Sequence, residues 1–327
     1  MAATIKDVAR VAGVSPATVT RALSTPDLVR PATRDRVRDA AVSLGYHPNR
    51  AARSLITGRS GNLGLLVPDL GNPFFPSIVK GVQSRAHEAD HAVFLADTDE
   101  DPAAEAGLVR KLAKQVDGIL LCSPRMAEEE LRTLAADMPL VLLYRRIAGV
   151  PSVTAELGDG MHQAVSHLVA LGHRRVAYVA GPRISWANRE RARALRSAAR
   201  SAGVDLIEIG NVAPQFSGGV SVADRVLAAS VSAVIAYNDL VALGLLHRFA
   251  ARGVAVPGDV SVLGFDDIPL AAMVHPALTT VALPQGQAGQ AGVDLLLHLL
   301  DRPDRSGGVR RELPTQLMVR ESTGPAR

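Results

Sequence analysis

From residue 62 onward, short apolar runs that favour β-strands alternate with stretches of helical periodicity. The strand-like runs are Leu63–Val67, Ala92–Ala96, Gly118–Leu121, Leu140–Leu143, Val176–Val179, Leu206–Ile209, Ala233–Tyr237 and Val260–Phe265. Helical patterns fall between several of them, at Pro76–Glu88, Gly160–Leu171, Arg189–Ala202 and Leu240–Arg252. Near-continuous apolar strands with intervening helices are typical of parallel sheets that are covered on both faces. This pattern is too long for one small sheet, so we predict an α/β fold with two doubly wound parallel-sheet subdomains and a ligand cleft at their strand ends.

The composition is that of a globular protein. Hydrophobic residues make up 47% of the 327-residue chain, which excludes a disordered protein. The single cysteine, Cys122, excludes a disulfide scaffold, and the histidines lack the spacing of metal ligands. No glycine-rich phosphate loop is present, so we predict no cofactor, no metal site and no catalytic residue. The polar side chains of Lys6, Asp7 and Arg10 stand where a signal peptide needs an apolar core, which predicts a cytoplasmic protein with no membrane partner.

Charge is distributed unevenly along the chain. The formal net charge is +4, but residues 1–60 carry ten basic and four acidic side chains, which leaves +6 on this segment and −2 on the remainder. A basic segment attached to a near-neutral body is the electrostatic pattern of a protein that binds a polyanion. A solvated, arginine-rich helical surface would give the same count, so charge alone does not decide between the two.

The basic segment carries the signals of three short helices. A first helix is predicted over Thr4–Ala12, with its first residue as the cap, and Gly13 follows as a turn. Ser15 is then an N-cap with Pro16 at the first helical position, and a third helix is predicted over Pro31–Leu44. A helix, a glycine-containing turn and a second helix form the helix-turn-helix unit, whose second helix enters the major groove of DNA.

Four segments carry a more specific signal than helix spacing: Thr4–Ala9, Ala12–Leu23, Thr33–Val37 and Gly45–Leu55. They resemble the DNA-binding headpiece and hinge of the LacI/GalR family of bacterial transcription regulators. The resemblance implies that Pro16, Ala17 and Arg21 face the bases, and that the phosphate contacts come from Ser15, Thr18 and Asn49. The Arg21 guanidinium can bond bidentately to guanine, whereas Pro16 and Ala17 can at most touch a thymine methyl group, so direct readout at their two base pairs is expected to be loose.

The same resemblance implies a short hinge helix within residues 47–60. Asn49 can cap this helix, Arg50 and Ala52 belong to its DNA-binding positions, and Leu55 matches the residue that wedges into the minor groove. Such a short helix is unstable alone in water, and the resemblance implies that it forms only on DNA, paired with its dimer mate. A flexible linker with an incidental leucine is the alternative interpretation.

Further segments that match the same family are found throughout the body of the chain. They are Val67–Asp69, Asn72–Phe75, Leu171–Tyr178, Asn238–Gly244, Gly264–Asp267 and Leu278–Thr280. The body therefore resembles the family's sensor domain, which has the fold of periplasmic binding proteins. The resemblance implies a headpiece over 1–46, a hinge and linker over 47–60, and a sensor over 61–327. Within the sensor it implies one subdomain of about 62–158 and 285–311, and another of about 159–284 and 312–321.

Nine residues at or near strand and helix ends are assigned to the effector site by this resemblance. They are Asn72, Phe74, Phe75, Tyr144, Arg145, Trp186, Arg189, Asn238 and Asp266. Aromatic rings can cover the apolar face of a sugar, and the polar side chains supply donors and acceptors for its hydroxyl groups. The alternatives are core packing for the aromatic residues and surface ion pairs for the charged ones.

Three departures from the family pattern bear on the effector. Tyr144 stands where many sugar-sensing relatives have Asp, and Leu283 stands where many have Gln. An aromatic residue expected after the strand that ends near Gly210 is replaced by Val212 or Pro214. A partly apolar lid argues against a simple ribose or galactose specificity. It leaves open a hydrophobically substituted glycoside, a nucleoside or a phosphorylated ligand.

These features predict a homodimeric transcription repressor that binds a pseudo-palindromic operator and responds to a sugar or related small molecule. A solute-binding protein with the same body fold is the alternative, opposed by the missing signal peptide and by the sixty-residue basic segment. A hydrolase with a doubly wound fold is opposed by the lack of a nucleophile–base pair.

Overall fold

The structure is a computed structural model that describes residues 3–24, 26–46, 58–302 and 308–327. The chain divides into two compact units, Met1–Gly61 and Asn62–Arg327. We refer to the first as the headpiece and to the second as the sensor domain. No helix in the described ranges is long and apolar enough to cross a membrane.

The headpiece contains the three predicted helices. They are α1 (Ile5–Ala12), α2 (Pro16–Ser24) and α3 (Pro31–Ser43), with a short 3₁₀ helix over Pro26–Leu28. Gly13 between α1 and α2 has a φ of 65°, which favours glycine because that residue has no Cβ. The Ser15 hydroxyl accepts a hydrogen bond from the Thr18 amide at 3.1 Å, which confirms Ser15 as the cap of α2. Apolar residues at helical spacing form the core of this unit: Val8, Ala9, Ala12, Val19, Ala22, Val37, Ala40 and Ala41.

The first sheet of the sensor domain has six parallel strands in the order β11-β5-β4-β3-β1-β2. The strands are β1 (Asn62–Val67), β2 (Ala92–Asp97), β3 (Gly118–Cys122), β4 (Leu140–Leu143), β5 (Ser152–Ala155) and β11 (Arg310–Leu313). The helices of this subdomain are α4 (Phe74–Glu88), α5 (Pro102–Leu112), α6 (Glu128–Asp137) and α12 (Gln285–Asp301). The central strands β3 and β4 are buried along their whole length, as expected for a sheet covered on both faces.

The second sheet also has six strands, in the order β12-β10-β9-β8-β6-β7, and only the β10–β12 pair is antiparallel. The strands are β6 (Arg175–Val179), β7 (Asp205–Ile209), β8 (Ala233–Ala236), β9 (Ser261–Asp266), β10 (Thr279–Ala282) and β12 (Gln316–Met318). The helices are α7 (Leu157–Ala170), α8 (Trp186–Ser201), α9 (Phe216–Ala228), α10 (Asp239–Ala251) and α11 (Pro269–Met273). The two sheets confirm the predicted doubly wound α/β fold.

All eight predicted strands are present, and the four predicted helices begin one to three residues earlier than the periodicity indicates. The earlier start of α4 corrects one expectation, since Phe74 and Phe75 precede the predicted helix Pro76–Glu88 and would lie in a loop, whereas they form the first turn of α4. Four further strands lie outside the eight predicted apolar runs: Ser152–Ala155, Thr279–Ala282, Arg310–Leu313 and Gln316–Met318. The end of the chain contributes one strand to each sheet, β11 to the first and β12 to the second.

The chain passes between the two subdomains three times. It crosses after β5, before α12 and between β11 and β12. The last crossing is fixed by the Thr315 hydroxyl, which donates to the Glu156 carbonyl of the first crossing at 2.7 Å. Three adjacent crossings leave the two subdomains able to change their relative angle about one edge, which is the hinge geometry of a cleft protein.

Candidate nucleic-acid interface and ligand cleft

The DNA-binding residues predicted in the headpiece lie together at the start of α2. Ser15, Pro16, Ala17 and Arg21 are exposed, and Thr18 is half-buried beside the cap. The Ser15 and Thr18 hydroxyl oxygens lie 2.9 Å apart and are joined by one hydrogen bond. Because α2 buries Val19 and Ala22 on its other side, its exposed face is available to a groove of DNA.

The predicted hinge contacts fall outside the described residues. Asn49, Arg50, Ala52 and Leu55 all belong to the range 47–57, so their DNA-binding roles stay predictions.

A cavity of about 30 Å³ lies between the two subdomains, at the carboxyl ends of the strands. The first subdomain contributes Asn72, Phe74, Phe75, Glu100, Ser123, Arg125 and Tyr144, and the second contributes Arg191, Pro214, Tyr237, Asn238 and Asp266. Six of the nine predicted ligand residues are among them. Strand ends from both sheets meet here, at the position where doubly wound folds bind their ligands.

A buried ion pair forms the floor of the cavity on the side of the second sheet. The Arg191 guanidinium on α8 donates to Asp266 Oδ1 at 2.8 Å and to the Tyr237 carbonyl at 2.6 Å. The guanidinium carbon also lies 4.0 Å from the centre of the Phe265 ring, in cation–π geometry. Hydrogen bonds on two sides and a ring face on a third hold this arginine in one orientation.

A second ion pair, between a buried arginine and a half-buried glutamate, lies on the side of the first sheet. Arg125, which follows β3, donates to both carboxylate oxygens of Glu100, at 2.7 and 2.9 Å. Its remaining terminal nitrogen donates to the Ser123 carbonyl at 2.7 Å and to the Ser123 hydroxyl at 3.0 Å. A bidentate pair of this kind fixes both side chains at the cavity wall.

The two asparagines of the cavity already hold backbone groups. Asn72 Oδ1 accepts from the Phe74 amide at 3.0 Å, at the start of α4. Asn238 caps α10 by accepting from the Val241 amide at 2.9 Å, and its Nδ2 donates to the Pro214 carbonyl at 2.9 Å. Their first role is therefore to shape the loops that carry the rings and the acids.

Three predicted ligand residues do not line the cavity. The Arg145 guanidinium donates to the carbonyls of Pro124 and Met126, at 2.6 and 2.8 Å. Arg189 is exposed on α8, and its guanidinium approaches the carbonyl of Ile184 at 3.3 Å. Trp186 lines a separate groove of about 460 Å³ that runs along α8 and past the first crossing.

Arg191 occupies the place in the cavity for which Arg189 was predicted. The signal that could have found it is helical spacing, since Asn188, Arg191, Ala192 and Leu195 share the buried face of α8 and Arg189 does not. Glu100, Ser123, Arg125 and Tyr237 were also missed. Each follows or ends a predicted strand, so the rule that ligands bind at strand ends would have nominated them.

We expect the free energy of unfolding of the wild type to fall, relative to that of Asp266→Asn, as the pH rises from about 4 to 7. Burial raises the pKa of Asp266 from 3.8 to about 6, although Arg191 lowers it. Between those two values the folded chain holds a proton that the unfolded chain has released, so stability decreases as the pH rises through this window. The total change is about 3 kcal/mol.

Urea unfolding of both proteins at half-unit steps of pH measures this difference. The variant lacks the titrating group, so contributions from ionisable residues that do not interact with Asp266 cancel. The buried Asp239 does interact with it, since burial and the Asp266 charge both raise the pKa of Asp239, and its own contribution stays in the difference. A difference that stays constant or grows in favour of the wild type between pH 4 and 7 would contradict the assignment.

In the parts of the chain that the structure describes, no three His, Cys, Asp or Glu side chains are grouped so as to hold a metal ion. Cys122 is buried at the end of β3, and burial raises the pKa of its thiol. The polar groups of the cavity thus suit the binding of a small molecule through hydrogen bonds and ring stacking.

Comparison with known proteins identifies both units. The family model described as bacterial regulatory proteins, lacI family, matches residues 4–49, and that of a periplasmic binding protein-like domain matches residues 165–323. The ribose operon repressor of Halalkalibacterium halodurans is 32% identical over 328 residues, which cover 98% of this chain and 97% of that protein. Catabolite control protein A of Priestia megaterium is 30% identical, with 99% of this chain and 100% of that protein covered.

Solved structures agree over the whole length. The lac repressor dimer bound to operator and the anti-inducer ONPF has a TM-score of 0.86 at 28% identity, and 99% of this chain and 100% of that chain are covered. The cellobiose complex of the transcriptional regulator CelR has a TM-score of 0.73 at 32% identity, with 98% and 99% covered. The chain therefore belongs to the lacI family of bacterial regulatory proteins and is a ligand-responsive, DNA-binding transcription regulator.

Proposed function

We propose that this protein is a homodimeric repressor whose affinity for a pseudo-palindromic operator changes when a sugar or related small molecule binds the cavity between its subdomains. One observation carries the proposal. The same chain combines an exposed α2 face, with Arg21 on it, and a cavity that takes charged and aromatic side chains from both subdomains. A ligand in that cavity contacts both halves of the sensor, so its binding energy depends on the angle between them.

In the conformation that the protein adopts here, the cavity is too small to hold a ligand. It encloses about 30 Å³, whereas small-molecule sites usually measure roughly 300–1,000 Å³. A sugar-sized effector therefore enters only when the subdomains rotate apart about the three crossings. The effector can change the free energy of operator binding by no more than the difference between its own binding free energies for the two subdomain angles. Such coupling free energies are typically about 1–3 kcal/mol.

An exposed apolar face on the second subdomain supports the dimer. Phe216, Leu270 and Met273 have 43%, 39% and 75% of their surface exposed, although all three are large and apolar. Phe216 and Leu270 line a groove of about 590 Å³ between α9, α10 and α11, and Met273 directly precedes Val274, which also lines it. Monomers rarely expose apolar patches of this kind, and the similar lac repressor is a dimer in its operator complex. We assign the face to a second copy of this chain.

The chemistry of the cavity supports a binding role without catalysis. Cys122 is a buried thiol, and burial raises its pKa, which favours a packing role over that of a nucleophile. Each carboxylate of the cavity is bonded to an arginine, at 2.7 to 2.9 Å, and is thus held as part of an ion pair. Because its partner is operator DNA, we place the protein in the cytoplasm.

We expect Arg21→Ala to weaken binding to the cognate operator by about 5- to 150-fold, or roughly 1–3 kcal/mol. A guanidinium that contacts guanine in the major groove provides both affinity and base discrimination. Titration of operator duplexes by fluorescence anisotropy, at fixed salt, measures the loss. The operator is first selected from a random duplex library with the wild-type protein.

Arg38→Ala is the matched control in the same unit. Arg38 is exposed on α3 and is already paired with Asp35 and Asp39, at 3.6 and 4.0 Å. Its removal is expected to change operator affinity by less than threefold, within the range of a rim charge. Failure of the wild-type protein to select any duplex, or equal losses in the two variants, would overturn the proposed role of α2.

A further inference from the structure

Tyr144 has a buried hydroxyl group that makes no hydrogen bond within the described part of the chain. The residue follows β4 and lines the central cavity, and only 7% of its surface is exposed. Its Oη atom finds no hydrogen-bond partner among the residues that the structure describes. An unpaired buried donor destabilises a folded protein, so a chain that keeps one usually has a use for it.

Backbone strain is concentrated at the same place. Tyr144 has a φ of 54°, in the left-handed region that favours glycine. Glu100, Ser123 and Asp266 also line the cavity and have positive φ values, so with Tyr144 the cavity holds four of the eight such non-glycine residues among those described. Strained backbone in one cluster is a property of ligand-binding sites, where the surrounding fold forces side chains into place.

The charges of the cavity cancel within it. Four lining residues are charged, and they form the two ion pairs Arg125–Glu100 and Arg191–Asp266. Each guanidinium therefore already faces a carboxylate, at 2.7 and 2.8 Å respectively. A phosphate or carboxylate ligand would meet two acids as well as two arginines. An uncharged ligand can hydrogen-bond to both pairs without that repulsion.

The cavity is also rich in rings. Phe74, Phe75, Tyr144 and Tyr237 all line it, in a chain with six Phe, four Tyr and one Trp. The Phe74 and Tyr144 ring centres are 5.2 Å apart, and the Phe74 and Phe75 centres are also 5.2 Å apart. Packed rings of this kind present flat apolar surfaces to a ligand ring.

We propose that Tyr144 is the specificity-determining residue of this site, and that its hydroxyl donates a hydrogen bond to an acceptor on an uncharged, hydroxylated ring compound. This inference rests on the proposed effector site and narrows the ligand from the wider class of sugars and related molecules. Neutral sugars and nucleosides share the required chemistry, which is a ring with a flat face, hydroxyl groups and at least one acceptor. Burial raises the pKa of Tyr144 further above its ordinary value, so the hydroxyl stays a donor at every physiological pH.

The first test compares two identical substitutions at buried tyrosines. Tyr144→Phe removes a hydroxyl without a partner, so the midpoint of thermal unfolding is expected to stay the same or to rise by a few degrees. Tyr178→Phe is the control, because the buried Tyr178 hydroxyl donates to Asn188 Oδ1 at 3.2 Å. Loss of that bond is expected to lower the midpoint. A comparable fall in both variants would show that the Tyr144 hydroxyl is structural, and would overturn the proposal.

The second test uses matched ligands in isothermal titration calorimetry of the full-length protein. The probes are ribose with ribose 5-phosphate, and adenosine with adenosine 5′-monophosphate. In whichever pair binds more tightly, the neutral compound is expected to have a dissociation constant at least tenfold lower than that of its phosphate. Tyr144→Phe is expected to bind that neutral compound at least tenfold more weakly than the wild type does. The pair that binds also distinguishes a sugar from a nucleoside effector.

Tighter binding of either phosphate would overturn the preference for an uncharged ligand. Equal affinity of Tyr144→Phe and the wild type for the neutral probe would overturn the role of the hydroxyl. Neither result would affect the proposed repressor function, because operator binding by the ligand-free protein is measured separately and depends on the headpiece.

Discussion

Replacing Arg191 with methionine is expected to lower the free energy of unfolding by about 3 kcal/mol and to abolish the response to effector. Arg191 and Asp266 are both nearly fully buried, and their side chains are 2.8 Å apart. Removal of the cation leaves a carboxylate in the interior without its partner, which usually costs about 3–5 kcal/mol. We expect the lower end of that range, because the pKa of Asp266 is already raised to about 6 and the carboxyl group can take up a proton.

Arg196→Met is the control on the same helix. Arg196 also pairs with a carboxylate, that of Glu208, at 2.5 and 2.7 Å, but about half of its side chain is exposed. Water screens such a pair, so its loss is expected to cost less than about 1 kcal/mol. Urea unfolding at pH 7.5 measures both variants.

The double variant Arg191→Met/Asp266→Asn separates loss of the pair from loss of packing. It removes the stranded charge, so it is expected to recover part of the stability that Arg191→Met loses. Similar losses in Arg191→Met and Arg196→Met, or no recovery in the double variant, would contradict the view that burial makes the Arg191 pair important.

Gly219→Ala is expected to lower the free energy of unfolding by about 3 kcal/mol or more, through direct collision of two helix backbones. A Cβ atom at Gly219 on α9 would lie 2.0 Å from the Val241 carbonyl oxygen on α10. Gly244 on α10 has the reciprocal contact, since its Cβ would lie 2.1 Å from the Phe216 carbonyl oxygen. Both obstacles are backbone atoms, so no side chain can rotate to relieve them.

Gly107→Ala provides the matched control. Gly107 lies inside α5, and a Cβ atom there would meet nothing within 4 Å. Alanine favours the helix more than glycine does, so this variant is expected to gain about 0.5–1 kcal/mol. Thermal unfolding should separate the two variants by roughly 7 °C or more. A Gly219→Ala protein as stable as Gly107→Ala would show that α9 and α10 can move apart.

The Gly219 contact also bears on assembly. Close packing of α9 on α10 brings Phe216 and the apolar groove together on one face of the second subdomain. If that face carries the dimer, a variant that moves the two helices apart should lose dimer stability as well as monomer stability. Sedimentation of Gly219→Ala below its unfolding temperature would separate the two effects.

Local sequence patterns were sufficient for much of the fold. Six of the eight apolar strand runs are buried along their whole length, and the other two are the edge strands β2 and β7, so each run is recognisable from its own few residues. The headpiece helices carry their start and stop signals at Ser15, Pro16 and Gly13, within one turn of the chain. Family-specific segments then extended the prediction to the cleft, where six of the nine nominated residues line the cavity.

Short, polar or ambiguous segments were not predictable in the same way. Ser152–Ala155 and Arg310–Leu313 become strands because a neighbouring strand supplies their hydrogen bonds, not because their own side chains demand it. The choice between Arg189 and Arg191 likewise depends on which face of α8 meets the sheet. A shift of two residues along a helix rotates the side chain by about half a turn. Arg189 therefore faces solvent, whereas Arg191 faces the cavity.

The sequence by itself determined that this protein has a basic helix-turn-helix headpiece and a two-subdomain α/β sensor, since both follow from patterns within short stretches of chain. Only the tertiary structure decided how charge is paired in the cleft and which hydroxyl among the described lining residues is left unpaired. Arg191 and Asp266 are 75 residues apart in the chain, and Tyr144 comes from the other sheet. Their arrangement depends on where distant strand ends converge, and no local pattern records that geometry.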